Sequence, residues 1–93
     1  MTDEDVIRER IGQLVEAIRA MDGGTIERIY AADIVSFDVE PPLKHVGVAH
    51  KLENWEGIFA RFHSPLEYDV CDLAITTSGD IAFAHSFNRI GGR

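Results

Sequence analysis

A single carboxylate, Asp38, stands among apolar residues near the end of the segment YAADIVSFDVEPP, which runs from Tyr30 to Pro42. Ile34 to Val39 alternates as a strand does, with Val35, Phe37 and Val39 on one side and Ile34, Ser36 and Asp38 on the other. Pro41 and Pro42 lack the N–H that a central strand needs, so the chain turns away directly after the carboxylate. Two kinds of chemistry suit an aspartate placed in this way. It orients or caps local backbone through its acceptor oxygens, or it sits at the mouth of a pocket as a base. A second titratable group, His85, lies on a later strand pattern close to Asn88, a neutral donor and acceptor.

Other chemistries find no foothold in these residue types and spacings. His45 and His50 are five apart across a loop-to-helix junction, and His63 lies at the far end of that helix, so no pair has the spacing of a helical metal site. The one cysteine, Cys71, excludes an intramolecular disulfide and reads as a buried small hydrophobe inside a strand. Asp22-Gly23-Gly24 and Gly91-Gly92 lack the lysine or glycine spacing of a nucleotide loop, so neither a metal nor a cofactor is expected. The formal charge of −7, with nine scattered basic residues, argues against a nucleic-acid partner. No apolar run approaches the roughly 20 residues of a membrane span, and the acidic start MTDEDVIRER is unlike a signal peptide, so a cytoplasmic protein is expected.

The elements that must position these groups follow from periodicity. Thr2 and the acidic turn Asp3-Glu4-Asp5 suit a helix start, and Ile7, Ile11, Leu14, Ile18 and Met21 form one apolar stripe. Asp22-Gly23-Gly24 is expected to stop that helix, and Thr25 to cap a short second one carrying Ile26, Ile29 and Tyr30. Gly47 precedes a third helix with Val48, Leu52, Trp55, Phe59 and Phe62 along one face. Leu66–Thr77 and Ile81–Ile90 read as two strands joined by the turn Ser78-Gly79-Asp80. The apolar phase of the first changes near Cys71-Asp72, which predicts a bulge. The fold class is α+β, a single domain over residues 1–93, with helices on one face of a bent, mainly antiparallel sheet.

This order resembles the SnoaL-like, ketosteroid isomerase-like (nuclear transport factor 2-like) superfamily, a cone of three helices wrapped by a curved sheet. The residues that carry the likeness are Tyr30 to Asp38, Pro41-Pro42-Leu43, Gly47, Trp55, Tyr68-Asp69-Val70 and Ala82 to Arg89. The resemblance implies two further strands after Gly91-Gly92, where this sequence ends. A shortened product, or contacts between chains in place of those strands, is the corresponding expectation. It also implies a homodimer with a small apolar cavity between helices and sheet.

In function the resemblance implies a cofactor-independent isomerase, cyclase or dehydratase acting on a small hydrophobic ligand, or a non-catalytic ligand-binding or protein-interaction module on the same fold. Asp38 stands where ketosteroid isomerases carry their general base. His85 stands where a pocket residue is often placed, either donating to a substrate carbonyl or pairing with Asp38. The tyrosine of such a site would fall near Leu14 or Ala17, which cannot donate, and its aspartate partner would belong to the further strands. Trp55 and Phe59 pack the core and also line the wall if the cone is hollow. Tyr30 either turns its hydroxyl into the pocket or packs on the sheet, and Asn88 is the alternative donor to His85. Strict alternation puts those last two on opposite faces of one strand.

Overall fold

The computed structural model describes residues 2–93. Helix α1 (Asp3–Arg19) opens on a reciprocal cap. Thr2 Oγ1 accepts from the Asp5 backbone N–H at 3.1 Å, and Asp5 Oδ2 accepts from the Thr2 N–H at 3.2 Å. The helix ends earlier than its glycines suggest. Met21, not glycine, takes the left-handed turn position (φ 56°), and its side chain packs on the core, which offsets the conformational cost. Asp22 then caps α2 (Gly23–Ile29), accepting from the Thr25 N–H at 3.1 Å and from the Thr25 hydroxyl at 2.6 Å. Thr25, expected as that cap, therefore lies inside the first turn. Both residue types cap well, and the aspartate prevails because its two oxygens satisfy two donors at once.

Strand β1 (Val35–Phe37) is shorter than the alternating run suggested, and it pairs antiparallel with β2 (Lys44–Val46), an element the sequence pattern did not predict. The hairpin turns its polar side inward. Val35 and Phe37 are 50 % and 75 % exposed, while Ile34, Ser36 and Asp38 are half-buried. Gly47 adopts φ +88°, a region that side chains disfavour, and its N–H donates to the Ile34 carbonyl at 2.7 Å. This turn directs the chain into α3 (Val48–Phe59).

Strands β3 (Glu67–Ser78) and β4 (Ile81–Gly91) form a long antiparallel hairpin closed by Gly79-Asp80. Its register shifts between Cys71 and Ala74, with Asp72 at φ 54°, at the bulge that the phase change marks. Cys71 is exposed there, contrary to the expectation of a buried residue, because it shares the outward side with its ladder partner Phe87. The two hairpins stay separate as two two-stranded sheets; β1 does not join β3 and β4 in the single three-stranded sheet expected.

Helix α1 runs along β3. Leu66 N–H donates to the Arg19 carbonyl at 2.9 Å, and Arg19 Nε donates to the Tyr68 carbonyl at 2.8 Å. The Arg19 guanidinium also reaches Asp69 at 2.9 Å, which Arg89 clasps from the other side at 2.7 Å. Ala17, Ile18, Ile26, Trp55 and Leu66 form the buried core, with Leu14, Met21, Tyr30, Phe59 and Tyr68 packed on it. The result is an α+β cone in which α1 packs along β3 and on α2, and α3 packs on α2 and β2. Among the described residues, no helix is long and apolar enough to cross a membrane.

Candidate functional site

The short β1–β2 hairpin decides what Asp38 meets. Its register pairs Ser36 with His45, and the Asp38 N–H donates to the Leu43 carbonyl at 2.8 Å. Asp38 and His45 are therefore diagonal neighbours on the same face of the ladder. That face looks toward α3, where Lys51, Asn54 and Trp55 fall at spacings of three and four and so share one side of the helix.

Asp38 Oδ2 lies 4.0 Å from His45 Nε2 and accepts from Asn54 Nδ2 at 3.4 Å. Its other oxygen accepts from the Val39 N–H at 2.7 Å. The carboxyl is held below the ordinary aspartate range, first by that Val39 N–H, with smaller contributions from the Glu40 N–H, the Lys51 charge and Asn54, against the opposing effect of burial. Asp38 thus ties down the turn through one oxygen and turns the other toward Asn54 and His45.

His45 is buried (6 % exposed), and its Nε2 has no hydrogen-bond partner among the described residues. A buried polar atom left without a partner is uncommon and carries a desolvation cost. At 4.0 Å the contact with Asp38 is too long for a hydrogen bond. Asp38, His45, Asn54, Ile58, Phe62 and Ile90 line an open cleft of about 700 Å³, a volume within the range of small-molecule sites. The cleft combines apolar side chains with the carboxylates of Asp38, Glu40 and Glu53, the imidazoles of His45 and His50, and the Arg61 guanidinium.

Lys51 connects this cleft to the aromatic centre. Its Nζ donates to Asn54 Oδ1 at 3.2 Å and sits 5.3 Å from the Trp55 ring centroid, a cation–π distance. Burial lowers the Lys51 pKa, and the Asp38 charge acts in the opposite direction. Trp55 is buried, stacks on Phe59 with centroids 5.7 Å apart, and meets Tyr68 edge-on at 5.9 Å. Its Nε1–H donates to the Tyr30 hydroxyl at 3.0 Å. Asn88 Nδ2 donates to the Tyr68 hydroxyl at 3.2 Å.

The sequence-derived candidates thus divide into groups. Tyr30, Trp55 and Phe59 come together, with Asn88 joining through Tyr68. Asp38 lies one step away across Asn54 and Lys51. His85 is exposed on the opposite face of β4 from Asn88, on the side that also presents Phe83 and Phe87, and it does not meet Asp38. Period-two alternation along the regular strand β4 enforces that separation. His45, Lys51 and Asn54 entered no sequence-derived site. The i, i+3, i+4 spacing of Lys51, Asn54 and Trp55 was a readable signal; the partnership of His45 with Asp38 was not, because it depends on the register of a three-residue strand. Among the described residues, no three His, Cys, Asp or Glu side chains gather as metal ligands.

Among curated proteins none matches the chain. A crystal structure of an NTF2-like protein of unknown function from Pseudomonas putida KT2440 superposes on it with a TM-score of 0.86 and 32 % identity. The match covers 96 % of this chain and 63 % of that one, so this chain spans less than two thirds of its neighbour's length. The SnoaL-like domain family matches residues 7–92. With that match over nearly the whole sequence, and the helix cone and hairpins in place, the chain belongs to the SnoaL-like domain family.

Proposed function

We propose that this protein binds a small hydrophobic ligand in the Asp38–His45 cleft and moves a proton on it without a cofactor, as an isomerase, cyclase or dehydratase does. The observation that carries this reading is the approach of a buried, unpartnered His45 Nε2 to the Asp38 carboxylate on the wall of an open cleft that also presents Ile58, Phe62 and Ile90. Asp38 Oδ2 takes a proton from a carbon acid, and the resulting carboxylic acid returns it to another atom of the ligand, so no oxidant or reductant is consumed. The Val39 N–H and Asn54 hold the carboxylate in position, and His45 Nε2 faces it at 4.0 Å. Because the Val39 N–H keeps the Asp38 pKa below the ordinary aspartate range, the base is ionised at neutral pH, and activity falls only on acidification below that range.

The test is a substrate-independent proton abstraction, the ring opening of 5-nitrobenzisoxazole. A carboxylate removes the ring C–H proton, the N–O bond breaks, and a coloured cyanophenolate forms. Asp38→Asn is expected to lower kcat/KM by about 10²-fold or more, and His45→Gln by a smaller factor. Equal rates for the wild type and Asp38→Asn would refute the catalytic reading.

The second reading is a non-catalytic binding module. One observation favours it: the same hydrogen bonds that keep Asp38 ionised also weaken it as a base. Saturable binding of apolar ligands by the wild type, with no rate above background, would decide for this alternative.

In either case the working unit is proposed to be a homodimer. Val35, Phe37 and Val46 on the hairpin's outer face, and Ile81, Phe83 and Phe87 on β4, are each at least half exposed, an apolar surface suited to a second copy of the chain. Sedimentation equilibrium is expected to show a dimer at micromolar concentration that Phe83→Glu with Phe87→Glu converts to monomer. A wild-type monomer at that concentration would count against it.

A further inference from the structure

The Asn54 amide stands between two ions, and its orientation is fixed from both sides. Lys51 Nζ, an ammonium that can only donate, donates to Asn54 Oδ1 at 3.2 Å. Asn54 Nδ2 donates to Asp38 Oδ2 at 3.4 Å, and an ionised carboxylate can only accept. Reversing the amide would set its NH₂ against the ammonium and its oxygen against the carboxylate, and both bonds would be lost. The chain Lys51, Asn54, Asp38 therefore runs in one direction, each donor followed by an acceptor.

Lys51 and Asn54 are three apart on α3 and share the face turned to the β1–β2 hairpin. Both are half-buried. Lys51 Nζ is also held 5.3 Å from the ring centroid of Trp55, a buried core residue, so the far end of the chain is anchored. At the near end, Asp38 Oδ1 is already taken by the Val39 N–H at 2.7 Å, which leaves Oδ2 as the oxygen that Asn54 directs. The other titratable groups around this carboxyl are few. His45 on β2 faces Oδ2 at 4.0 Å, too far for a hydrogen bond, and Glu40, His50, Glu53 and Arg61 line the same cleft, Arg61 lying 3.7 Å from Glu40. The Val39 N–H does most to keep Asp38 ionised, and Lys51 and Asn54 act in the same direction.

We infer that Lys51 and Asn54 are positioning residues for Asp38: the ammonium locks the Asn54 amide, and the amide fixes the direction of Oδ2 in the cleft. The assignment rests on the reading of Asp38 as the base of that cleft and names what aims it. An aimed carboxylate has its lone pair in place before the ligand arrives, which removes an orientational cost from proton abstraction. The intervening amide also keeps the ammonium from capping Oδ2 directly, so the charge favours the carboxylate without covering it. Asn54 lies on the cleft wall, and Lys51 acts through it from behind.

The test follows the Asp38 carboxyl carbon by carbon-13 NMR as pH is lowered, its signal identified by its loss in Asp38→Asn. Lys51→Met keeps an apolar stem against Trp55 and removes the ammonium; Asn54→Leu keeps most of the volume and removes the amide. In each variant Asp38 should titrate at higher pH than in the wild type, and in the double variant the rise should fall short of the sum of the two. Asn54→Leu should also lower kcat for 5-nitrobenzisoxazole about 10-fold with KM little changed, as loss of a hydrogen bond to a charged group does. Lys51→Met should lower it by a smaller factor, with no further loss when added to Asn54→Leu. Lys51→Met, at a half-buried position, decides alone if Asn54→Leu fails to fold. An Asp38 titration unchanged in the folded variants, or single shifts that add in full, would overturn the relay. Shifted titration without any turnover by the wild type would sustain the relay and remove the proton-transfer reading. Asp38-dependent turnover indifferent to Lys51 and Asn54 would do the reverse.

Discussion

Trp55→Ala is expected to lose about 3–5 kcal/mol of stability, the cost of emptying a large aromatic site from a core that cannot fully collapse. Trp55 is one of the buried core residues; it joins α3 to Tyr30 and Tyr68 and also contacts Lys51 and Phe59 on its own helix. For a small domain whose whole stability is of order 5–15 kcal/mol, that loss approaches global unfolding. Trp55→Phe separates packing from hydrogen bonding. It keeps most of the ring contact and removes the Nε1–H donated to Tyr30, so its cost should be smaller, with about 1 kcal/mol from the bond. Urea denaturation followed by far-UV circular dichroism measures both, since the chain's only tryptophan is absent from each variant. A loss below about 1 kcal/mol for Trp55→Ala would mean that the aromatic centre is peripheral, contrary to its burial.

Ile18→Ala carries the second largest effect, about 2–5 kcal/mol, against about 0.5–1.5 kcal/mol for Ile18→Val. Ile18 is fully buried in the last turn of α1, and its carbonyl accepts from the Met21 N–H at 3.0 Å where the chain reverses into α2. Its side chain therefore belongs to the core at the point where the α1–α2 turn is set. In a domain of this size 1 kcal/mol corresponds to roughly 4–8 °C in Tm, so the alanine variant should melt on the order of 10–30 °C lower. A shift under about 5 °C would show that the neighbouring side chains close over the vacated space. The two deletions lie in one core cluster, and their combined effect should depart from the sum.

These two residues were legible from periodicity. Ile18 is the fourth member of a stripe at spacings of four and three, and Trp55 is the third of another, so a helical period alone places both inward. The β3–β4 hairpin was legible for a similar reason, since two long runs flank a glycine turn, and the phase change at Cys71-Asp72 locates the bulge. The helix 1 to helix 2 junction was less so. Asp22 and Thr25 are both competent caps three residues apart, and only the packed turn selects Asp22. Strand β2 was not legible at all. Three residues, Lys44 to Val46, are too few to show a period, and they follow a double proline that argues against a strand.

That short strand explains the division of the candidate site. Asp38 was conspicuous by residue type and by its place before Pro41-Pro42, and His85 was its natural partner on paper. The fold turns His85 outward on β4 and brings His45 to the carboxylate, because a diagonal pair depends on ladder register rather than on any preference of the two side chains. By itself the sequence determined the helices and their faces, the first strand and the long hairpin, which follow from local propensity and short-range pattern, and its motifs carried the resemblance to the SnoaL-like family that matches residues 7–92. Tertiary structure alone decided which imidazole meets Asp38, which face of each hairpin is covered, and that Tyr30 and Tyr68 share one tryptophan. Those are long-range pairings, settled by the packing of α3 between two hairpins, and no local pattern encodes them.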